Sequence, residues 1–300
     1  MVIPQPSQIA LSVHTRSFAR VSLLLSVALL FVLCASNTFT VRAQEVPSSK
    51  KSALTPQQQE LERERQRLAS ADQEERREAV TRLGAMKRAE ASRVAATALS
   101  DSSPIVRATV ARSILSLTNE EAANLLLPLL QDKEEFVRRE AAYALGLTRS
   151  RTAVPSLVST LEKDKEASVR SAAAIALGEI GDESAVLPLT QTFTRRVKVS
   201  SGFLRRKKQE PENEFVRRAA AHSLGQIKSR AGVPALIALL SDEKSGDDVR
   251  REAARSLGLI GDLSAVSALR AALTSHDPYL SRIAYEALRK ISPADATRPS

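Results

Sequence analysis

The sequence predicts an all-α protein, an α-solenoid of about seven helical hairpins, and two observations support this fold class. A ten-residue phrase recurs along the chain at intervals of 31 to 33 residues, with a single longer interval of 47. Self-similarity at such a period is typical of a stacked repeat array. Inside each copy the apolar residues recur with the period of a helix. The seven copies start at positions 75, 106, 137, 169, 216, 249 and 280, and the last copy is degraded.

The recurring phrase is predicted to form the first helix of each hairpin, called helix A here. In the copy VRREAAYALG, Val137, Ala141 and Leu145 fall on one helical face, which predicts that this face is buried. The phrase usually ends in glycine, and a residue without a side chain would let helix A lie close to its neighbour. These glycines are Gly146, Gly178, Gly225 and Gly258. Leu115 stands at the equivalent position of the second copy, for no reason visible in the sequence.

A second amphipathic segment follows helix A and is predicted to form helix B, at residues 152–161, 184–193, 231–240 and 264–273. The pairs Gly181-Asp182 and Gly261-Asp262 separate the two helices, because glycine suits a helix C-terminus and aspartate suits a helix start. Aspartates also precede several copies of helix A, where they can cap that helix. They are Asp101, Asp132, Asp164 and Asp242.

Arginine follows the buried valine in five copies of helix A, at Arg107, Arg138, Arg170, Arg217 and Arg250. The favoured interpretation is structural: an ion-pair ladder between repeats, made with the neighbouring aspartates. The alternative is a functional row of anion contacts, and isolated exposed ion pairs are a weak basis for either interpretation. Ser281 replaces the arginine in the last copy, a departure expected of a terminal repeat.

Residues 1–43 have the pattern of a secretory signal peptide. Two arginines precede the apolar run 21–35, and small residues precede a cleavage site before Gln44. The run is shorter than the roughly 20 residues of a spanning helix. An uncleaved N-terminal anchor in the inner membrane is the alternative, whereas a lipoprotein site at Cys34 is disfavoured because Leu33 precedes it. Each interpretation places the array outside the cytoplasm, in the periplasm or the extracellular space.

The other boundaries follow from composition and helix caps. Residues 44–54 are predicted to be a flexible linker, 55–69 an N-terminal capping helix, 70–292 the repeat array and 293–300 a C-terminal tail. Thr55-Pro56 marks the start of the capping helix, because threonine caps a helix and proline suits its first position.

A basic insertion at 194–213 accounts for the long interval between the fourth and fifth copies. Insertions in repeat arrays lie on one face and often carry the specific contact. Alternation around Ser200-Ser201-Gly202 predicts a hairpin with strands at 197–199 and 203–205, and a helix B extended to about Ser200 is the alternative. The candidate contacts for an anionic partner are Arg195, Arg196, Lys198, Arg205, Arg206, Lys207 and Lys208. A solvated insertion without a partner is the competing interpretation.

The formal net charge of +10 is local rather than spread along the chain. The segment 195–208 carries seven basic residues and no acid, and residues 1–43 carry three and no acid, so the rest of the chain is balanced. A basic chain often binds nucleic acid, but no nucleic acid is expected here, because the excess charge lies in two short segments. Cys34 is the only cysteine, which excludes a disulfide framework and a cysteine metal site.

The repeats resemble the HEAT repeat superfamily, an armadillo-like superhelix, and in particular the short bacterial phycobilisome lyase HEAT-like repeat. Residues 164–189 follow that phrase from the leading aspartate through VR, ALG and IGD almost position by position. The resemblance covers about residues 70–292. It implies the fold of the chain and no single function, because the phrase encodes helix packing.

Catalytic proteins with similar scaffolds differ from this chain in their key residues. Deoxyhypusine-hydroxylase-like chains bind iron through His-Glu pairs, and none of His14, His222 and His276 is followed by glutamate. DNA glycosylases of this type use tryptophan, and the chain contains none. Bilin lyases act on cytoplasmic light-harvesting proteins, from which export would separate the chain.

The sequence therefore predicts an exported, non-catalytic scaffold that binds a protein partner and needs no cofactor or metal. A lyase-like protein, or an accessory factor for a modifying enzyme, is one alternative. Attachment to an anionic membrane or a polyanion through the basic insertion is the other.

Overall fold

The computed structural model describes residues 54–201 and 206–296, and the structural statements below concern these residues. The predictions for residues 1–53, for 203–205 and for 297–300 lie outside the described residues. Within them the chain forms an array of helices interrupted by one β-hairpin, as the fold class predicts. A capping helix, α1 (Pro56–Arg67), precedes the array, and the Thr55 hydroxyl accepts a hydrogen bond from the Gln58 N–H at its start.

Six of the seven copies of the recurring phrase lie entirely in helices, and the second copy extends two residues beyond the end of its helix. The helices A are α2 (Gln73–Ala85), α4 (Pro104–Ser113), α6 (Glu135–Thr148), α8 (Ala167–Ile180), α10 (Glu214–Ile227), α12 (Asp247–Ile260) and α14 (Pro278–Ile291). Each helix A packs against the helix A before it and the one after it. Repeats that are neighbours in the sequence are therefore neighbours in space, which is the arrangement of a solenoid.

Helix B follows helix A in six of the seven copies. The helices B are α3 (Ala89–Ala96), α5 (Asn119–Leu126), α7 (Val154–Lys163), α9 (Val186–Gln191), α11 (Val233–Ser241) and α13 (Val266–Ala272). After α14 the described chain contains only a 3-10 turn, Pro293–Asp295. The array thus has six complete hairpins and a final helix A, close to the seven predicted.

The core is a continuous line of small aliphatic side chains between the helices. The valine that opens the phrase and the leucine at its ninth position are buried, as Val137 and Leu145 are in α6 and Val169 and Leu177 in α8. One cluster of buried apolar residues runs from Leu61 to Leu288, so the core extends along the array instead of filling a single centre.

Glycine at the end of the phrase brings adjacent helices A into close contact. A Cβ at Gly146 would lie 2.7 Å from Ala176 Cα, and one at Gly258 would lie 2.8 Å from Ala287 Cβ. These distances are too short for any side chain and confirm the predicted role of the glycine. The exception at Leu115 is now explained, because α4 ends at Ser113 and position 115 lies outside the helix.

The insertion forms the predicted hairpin, in a different register. Strand β1 (Arg196–Ser201) pairs antiparallel with β2 (Arg206–Pro211), and Arg196 lies opposite Pro211. The described part of the second strand is Arg206–Pro211, and the predicted strand at 203–205 lies outside the described residues. The alternative of an extended helix B is wrong, because α9 ends at Gln191. Among the described residues, no helix combines the length and the apolar character needed to cross a membrane.

Candidate functional site

The repeated arginines form an ion-pair ladder along the array. Arg107 donates from Nε and Nη2 to the carboxylate of Asp132 at 2.7 and 2.8 Å, and from Nη1 to the backbone oxygen of Asp101 at 2.8 Å. Arg138 makes the same contacts one repeat later, with Asp164 and Asp132. Asp132 therefore binds two consecutive arginines, one through its carboxylate and one through its backbone oxygen.

The ladder aspartates also organise the loops before helix A. The carboxylate of Asp101 accepts hydrogen bonds from Arg76 at 2.7 and 2.8 Å and from the Ser103 N–H at 2.8 Å. The hydrogen bonds from Arg76 hold the pKa of Asp101 below its ordinary value, against the opposing effect of burial. Because Arg107 and Arg138 are buried and fully engaged inside the array, the ladder interpretation holds for them and the row of anion contacts does not.

A glutamate replaces the ladder aspartate at the inserted hairpin. Arg170 donates to both carboxylate oxygens of Glu212, at 2.7 and 3.1 Å, in the manner of the other rungs. Arg195 approaches the same carboxylate from the hairpin side at 3.1 Å and also donates twice to the Leu161 oxygen, at 2.7 and 3.0 Å. The Glu212 side chain is 0% exposed. One buried carboxylate thus faces two guanidinium groups and ties the hairpin to the array.

The ladder changes at its last two arginines. Arg217 lies 3.7 Å from Asp242 and donates instead to the Ser245 hydroxyl at 2.5 Å, and its buried Nε has no hydrogen-bond partner among the described residues. The reason is the loop, in which Asp242 stands seven residues before the helix A valine instead of five. Arg250 donates from Nε to the Leu240 oxygen at 3.0 Å. The adjacent Arg251 takes the carboxylate of Asp277 in its place, at 2.7 and 2.8 Å.

A cleft of about 1220 Å³ opens between the base of the hairpin and the loops before α8 and α12. Eight basic and six acidic side chains line it. Two of the acids, Asp164 and Glu212, are neutralised in ladder pairs, and Asp164 pairs with Arg138, which lies outside the cleft. Apart from these two acids and from Arg170, Arg195 and Arg217, which bind groups of the chain itself, the cleft holds five basic and four acidic side chains, so its net charge is only slightly positive. Five cations face solvent along the cleft: Lys163, Lys165, Arg196, Lys198 and Lys244.

The structure separates the seven predicted anion contacts into three groups. Arg196 and Lys198 are exposed at the cleft, and their contact with an anionic partner stays a prediction. The prediction for Arg195 is wrong. Its guanidinium binds Glu212 and the Leu161 oxygen inside the protein, and burial lowers its pKa, so it is not available to a partner at the surface. Arg205 and the side chains of the other three lie outside the described residues; these three are Arg206, Lys207 and Lys208.

Four residues of this site were not predicted from the sequence. Lys163 ends α7, and Lys165 and Lys244 lie in loops; all three meet the hairpin only in the fold. Glu212 was overlooked because it stands four residues before Val216, one position later than the aspartates of the regular repeats. A search for any acid next to that position would have found it.

Candidates for binding a metal ion in the described part of the chain include the histidine His222 and the acidic side chains. His222 lies on α10 with its Nδ1 2.9 Å from a carboxylate oxygen of Glu252, as expected of a satisfied surface histidine. Arg255 donates to the other oxygen of that glutamate at 2.5 Å. Residues 54–201 and 206–296 contain no cluster of His, Cys, Asp and Glu able to hold a metal ion.

The stacked hairpins, the ladder and the glycine contacts define a class of protein, the helical-repeat solenoids. The chain belongs to the HEAT repeat family, because the sequence model of HEAT repeats matches residues 62–146, 125–198 and 244–299. The PBS lyase HEAT-like repeat matches residues 216–242. No curated protein sequence matches the chain.

Solved structures of similar fold are helical repeat proteins. YibA of Escherichia coli is 19% identical with a TM-score of 0.54, over 79% of this chain and 82% of that one. The complex of CpcE and CpcF of phycocyanin lyase from Nostoc sp. PCC7120 is 23% identical with a TM-score of 0.46, over 83% and 92%. Human deoxyhypusine hydroxylase is 21% identical with a TM-score of 0.38, over 78% and 96%. At these identities the likeness concerns the fold alone.

Proposed function

We propose that the protein is an exported, non-catalytic scaffold that binds the acidic surface of a partner protein at the cleft beside the hairpin. The observation that carries the proposal is the group of five exposed cations along that cleft, at the one place where the regular array is interrupted. HEAT repeats stack into extended surfaces, and such surfaces commonly bind proteins. The buried Arg170–Glu212–Arg195 cluster supports the proposal further, because it holds the hairpin base in a defined position.

The binding test uses poly-glutamate peptide as a mimic of an acidic surface. Replacing Lys163, Arg196, Lys198 and Lys244 by alanine removes four exposed cations of the cleft. We expect the affinity to fall at least about fourfold, because four exposed pairs at roughly 0.2–1 kcal/mol each contribute roughly 0.8–4 kcal/mol, and we expect the wild-type affinity to fall with added salt. The measurement is fluorescence anisotropy of the labelled peptide. A matched control replaces four exposed cations elsewhere: Arg63, Arg65, Arg282 and Lys290. Equal binding by the cleft variant and the control would contradict the proposal.

Two further measurements separate the alternatives. Anionic vesicles that bind the wild type more tightly than poly-glutamate would favour membrane attachment through the hairpin. An absorbance shift on adding a bilin would favour the lyase-like function, which the PBS lyase HEAT-like match at 216–242 keeps as the second candidate.

Export is tested separately from binding. The pattern in residues 1–43 supports a signal peptide, so a fusion of these residues to a reporter active only outside the cytoplasm should be active. The mass of the mature protein should correspond to a chain that starts at Gln44. A full-length mass together with an inactive reporter would reject the export proposal.

A further inference from the structure

Small side chains on α8 leave a groove between the helices A on either side of it. The surface positions of α8 carry Ser168, Ser171 and Ile175, while the next helices present larger side chains. The result is a groove of about 500 Å³ that runs over α8. We call it the α8 groove. Its floor is formed by the three α8 residues, and its walls by Arg139, Tyr143, Phe215, Arg218 and His222.

The guanidinium groups of the two wall arginines, Arg139 and Arg218, make no hydrogen bond to the described part of the chain. Arg139 lies 3.8 Å from Glu135 and 3.8 Å from Glu140. Both glutamates have closer partners, because the Ser168 hydroxyl donates to Glu135 and Arg112 lies 2.7 Å from Glu140. Each glutamate therefore has a closer partner than Arg139, and the guanidinium of Arg139 has N–H donors left for the carboxylate of a ligand.

Arg218 is in a similar position on the opposite wall. Its guanidinium lies 3.6 Å from Asp248 and stands 5.5 Å from the centre of the Phe215 ring, a cation–π arrangement. Phe215 itself is 65% exposed. An exposed aromatic ring beside a guanidinium is typical of residues that dominate protein interfaces.

The α8 residues that line the groove include no acid. Helices α4 and α6 are joined by the close ion pair Arg112–Glu140 at 2.7 Å. The position of α8 that corresponds to Glu140 is Ala172, which offers no carboxylate. The one acid in the groove, Glu252, is buried and engaged by His222 and Arg255.

We propose that the α8 groove binds an extended segment of a partner protein that carries an apolar side chain between acidic residues. The apolar side chain would pack on Ile175 and Phe215, and the carboxylates would pair with Arg139 and Arg218. Charge complementarity and the apolar surface of Ile175 and Phe215 select this chemistry over a purely charged ligand. The groove shares no charged residue with the hairpin cleft. This inference rests on the proposed scaffold function in one respect: both assume that the partner is a protein.

The test uses the full chain and a labelled peptide of alternating leucine and aspartate as the probe. One comparison peptide has serine in place of leucine, and another has lysine in place of aspartate. We expect the first to bind at least fivefold more weakly and the second not to bind. Arg139→Ala with Arg218→Ala, and separately Ile175→Ser, should each weaken binding of the probe at least fivefold.

Arg282→Ala is the matched control, because Arg282 occupies the same helix A position in the last copy, outside the groove. The control should bind the probe like the wild type, and Arg139→Lys with Arg218→Lys should recover part of the loss. Circular dichroism verifies that each variant is folded. Undetectable binding by the wild type, or unchanged binding by both groove variants, overturns the inference. The four-residue cleft variant should keep its affinity for this probe, so the failure of one proposal is distinct from the failure of the other.

Discussion

The carboxylate of Glu212 determines how the insertion is tolerated. In a regular repeat, an aspartate five residues before the valine closes the rung, but the hairpin occupies that part of the chain between α9 and α10. Glu212 is one methylene longer and stands one residue later, so its carboxylate still reaches Arg170. The second arginine, Arg195, comes from the hairpin itself and shares the charge. The ladder continues across the insertion because one side chain compensates for the change of backbone.

Replacing this carboxylate should destabilise the protein strongly. Glu212→Gln leaves two guanidinium groups facing each other without a counter-charge, and breaking a buried ion pair costs about 3–5 kcal/mol. Urea unfolding followed by circular dichroism measures the loss. The control is Glu243→Gln, at an exposed acid, which should change stability by less than about 0.5 kcal/mol. In the Glu212→Gln background, Arg195→Gln should cost less than it does alone; equal costs in the two backgrounds would show that the charges are not coupled.

The ladder aspartates should make stability depend on pH in the acid range. The hydrogen bonds from Arg76 hold the pKa of Asp101 below its ordinary value, whereas the unfolded chain has a pKa of about 3.9. A depressed pKa adds stability that is complete above about pH 4 and is lost as the pH falls through the folded value. Asp101→Asn keeps the acceptor for the Ser103 N–H and removes the charge.

The expected result is a difference in urea midpoint between wild type and Asp101→Asn that is largest at pH 7 and shrinks below pH 4. Both proteins are measured under identical salt, because screening affects exposed pairs elsewhere in the chain. A difference that stays constant from pH 7 to pH 2.5 would mean that the charge of Asp101 contributes nothing.

At the scale of elements, helix A was predictable because one periodic signal encodes both its conformation and its packing. The glycine that ends the phrase, the buried valine and the buried leucine recur together. Helix B was less predictable at its ends. Its predicted start at residue 184 is a 3-10 turn, Glu183–Ala185, and α9 stops at Gln191 although the apolar pattern continues to Phe193. The apolar pattern indicates which residues face the core, but it does not indicate where 3-10 hydrogen bonding gives way to α-helical hydrogen bonding.

The same limit applies to the hairpin and the cleft. Alternation predicted two strands, but it did not predict their register, in which Ser201 lies opposite Arg206, because register depends on the connection between the strands. The cleft combines Lys163, Lys198 and Lys244 from three separate segments. No spacing rule relates such residues, because loop paths bring them together. The sequence identified the basic segment, and only the fold identifies its neighbours.

Close packing at glycine reverses the usual effect of a helical Gly→Ala substitution. In an open helix, alanine in place of glycine stabilises by roughly 0.5–1 kcal/mol. At Gly146 the new Cβ would lie 2.7 Å from Ala176 Cα, so α8 must move away from α6. We expect Gly146→Ala to lower stability by about 1–3 kcal/mol. Thermal and urea unfolding measure the change, and Leu147→Ala, at an exposed neighbouring residue, is the control. A stabilised Gly146→Ala protein would refute the tight contact.

At the scale of the whole molecule, stability is distributed along a line. Each helix A packs mainly on the two helices A beside it, so a defect in the middle separates two arms, whereas a defect at an end affects one. The described chain ends the array with α14, which has a helix A neighbour on one side only. The position of a core substitution along the array should therefore matter as much as its chemistry.

Two equivalent leucines test this distribution. Leu177 in α8 and Leu288 in α14 both stand at the ninth position of the phrase and are 0% exposed. An aspartate at either site places an unpaired charge in the core, which costs several kcal/mol. For Leu177→Asp we expect the single cooperative unfolding transition to be lost and amide hydrogen exchange to accelerate on both sides of α8. For Leu288→Asp we expect faster exchange confined to α13 and α14, with the first repeats protected as in the wild type. Global unfolding of both variants to the same extent would indicate one indivisible core, and an unchanged melting curve for Leu177→Asp would contradict the packing of helix A itself.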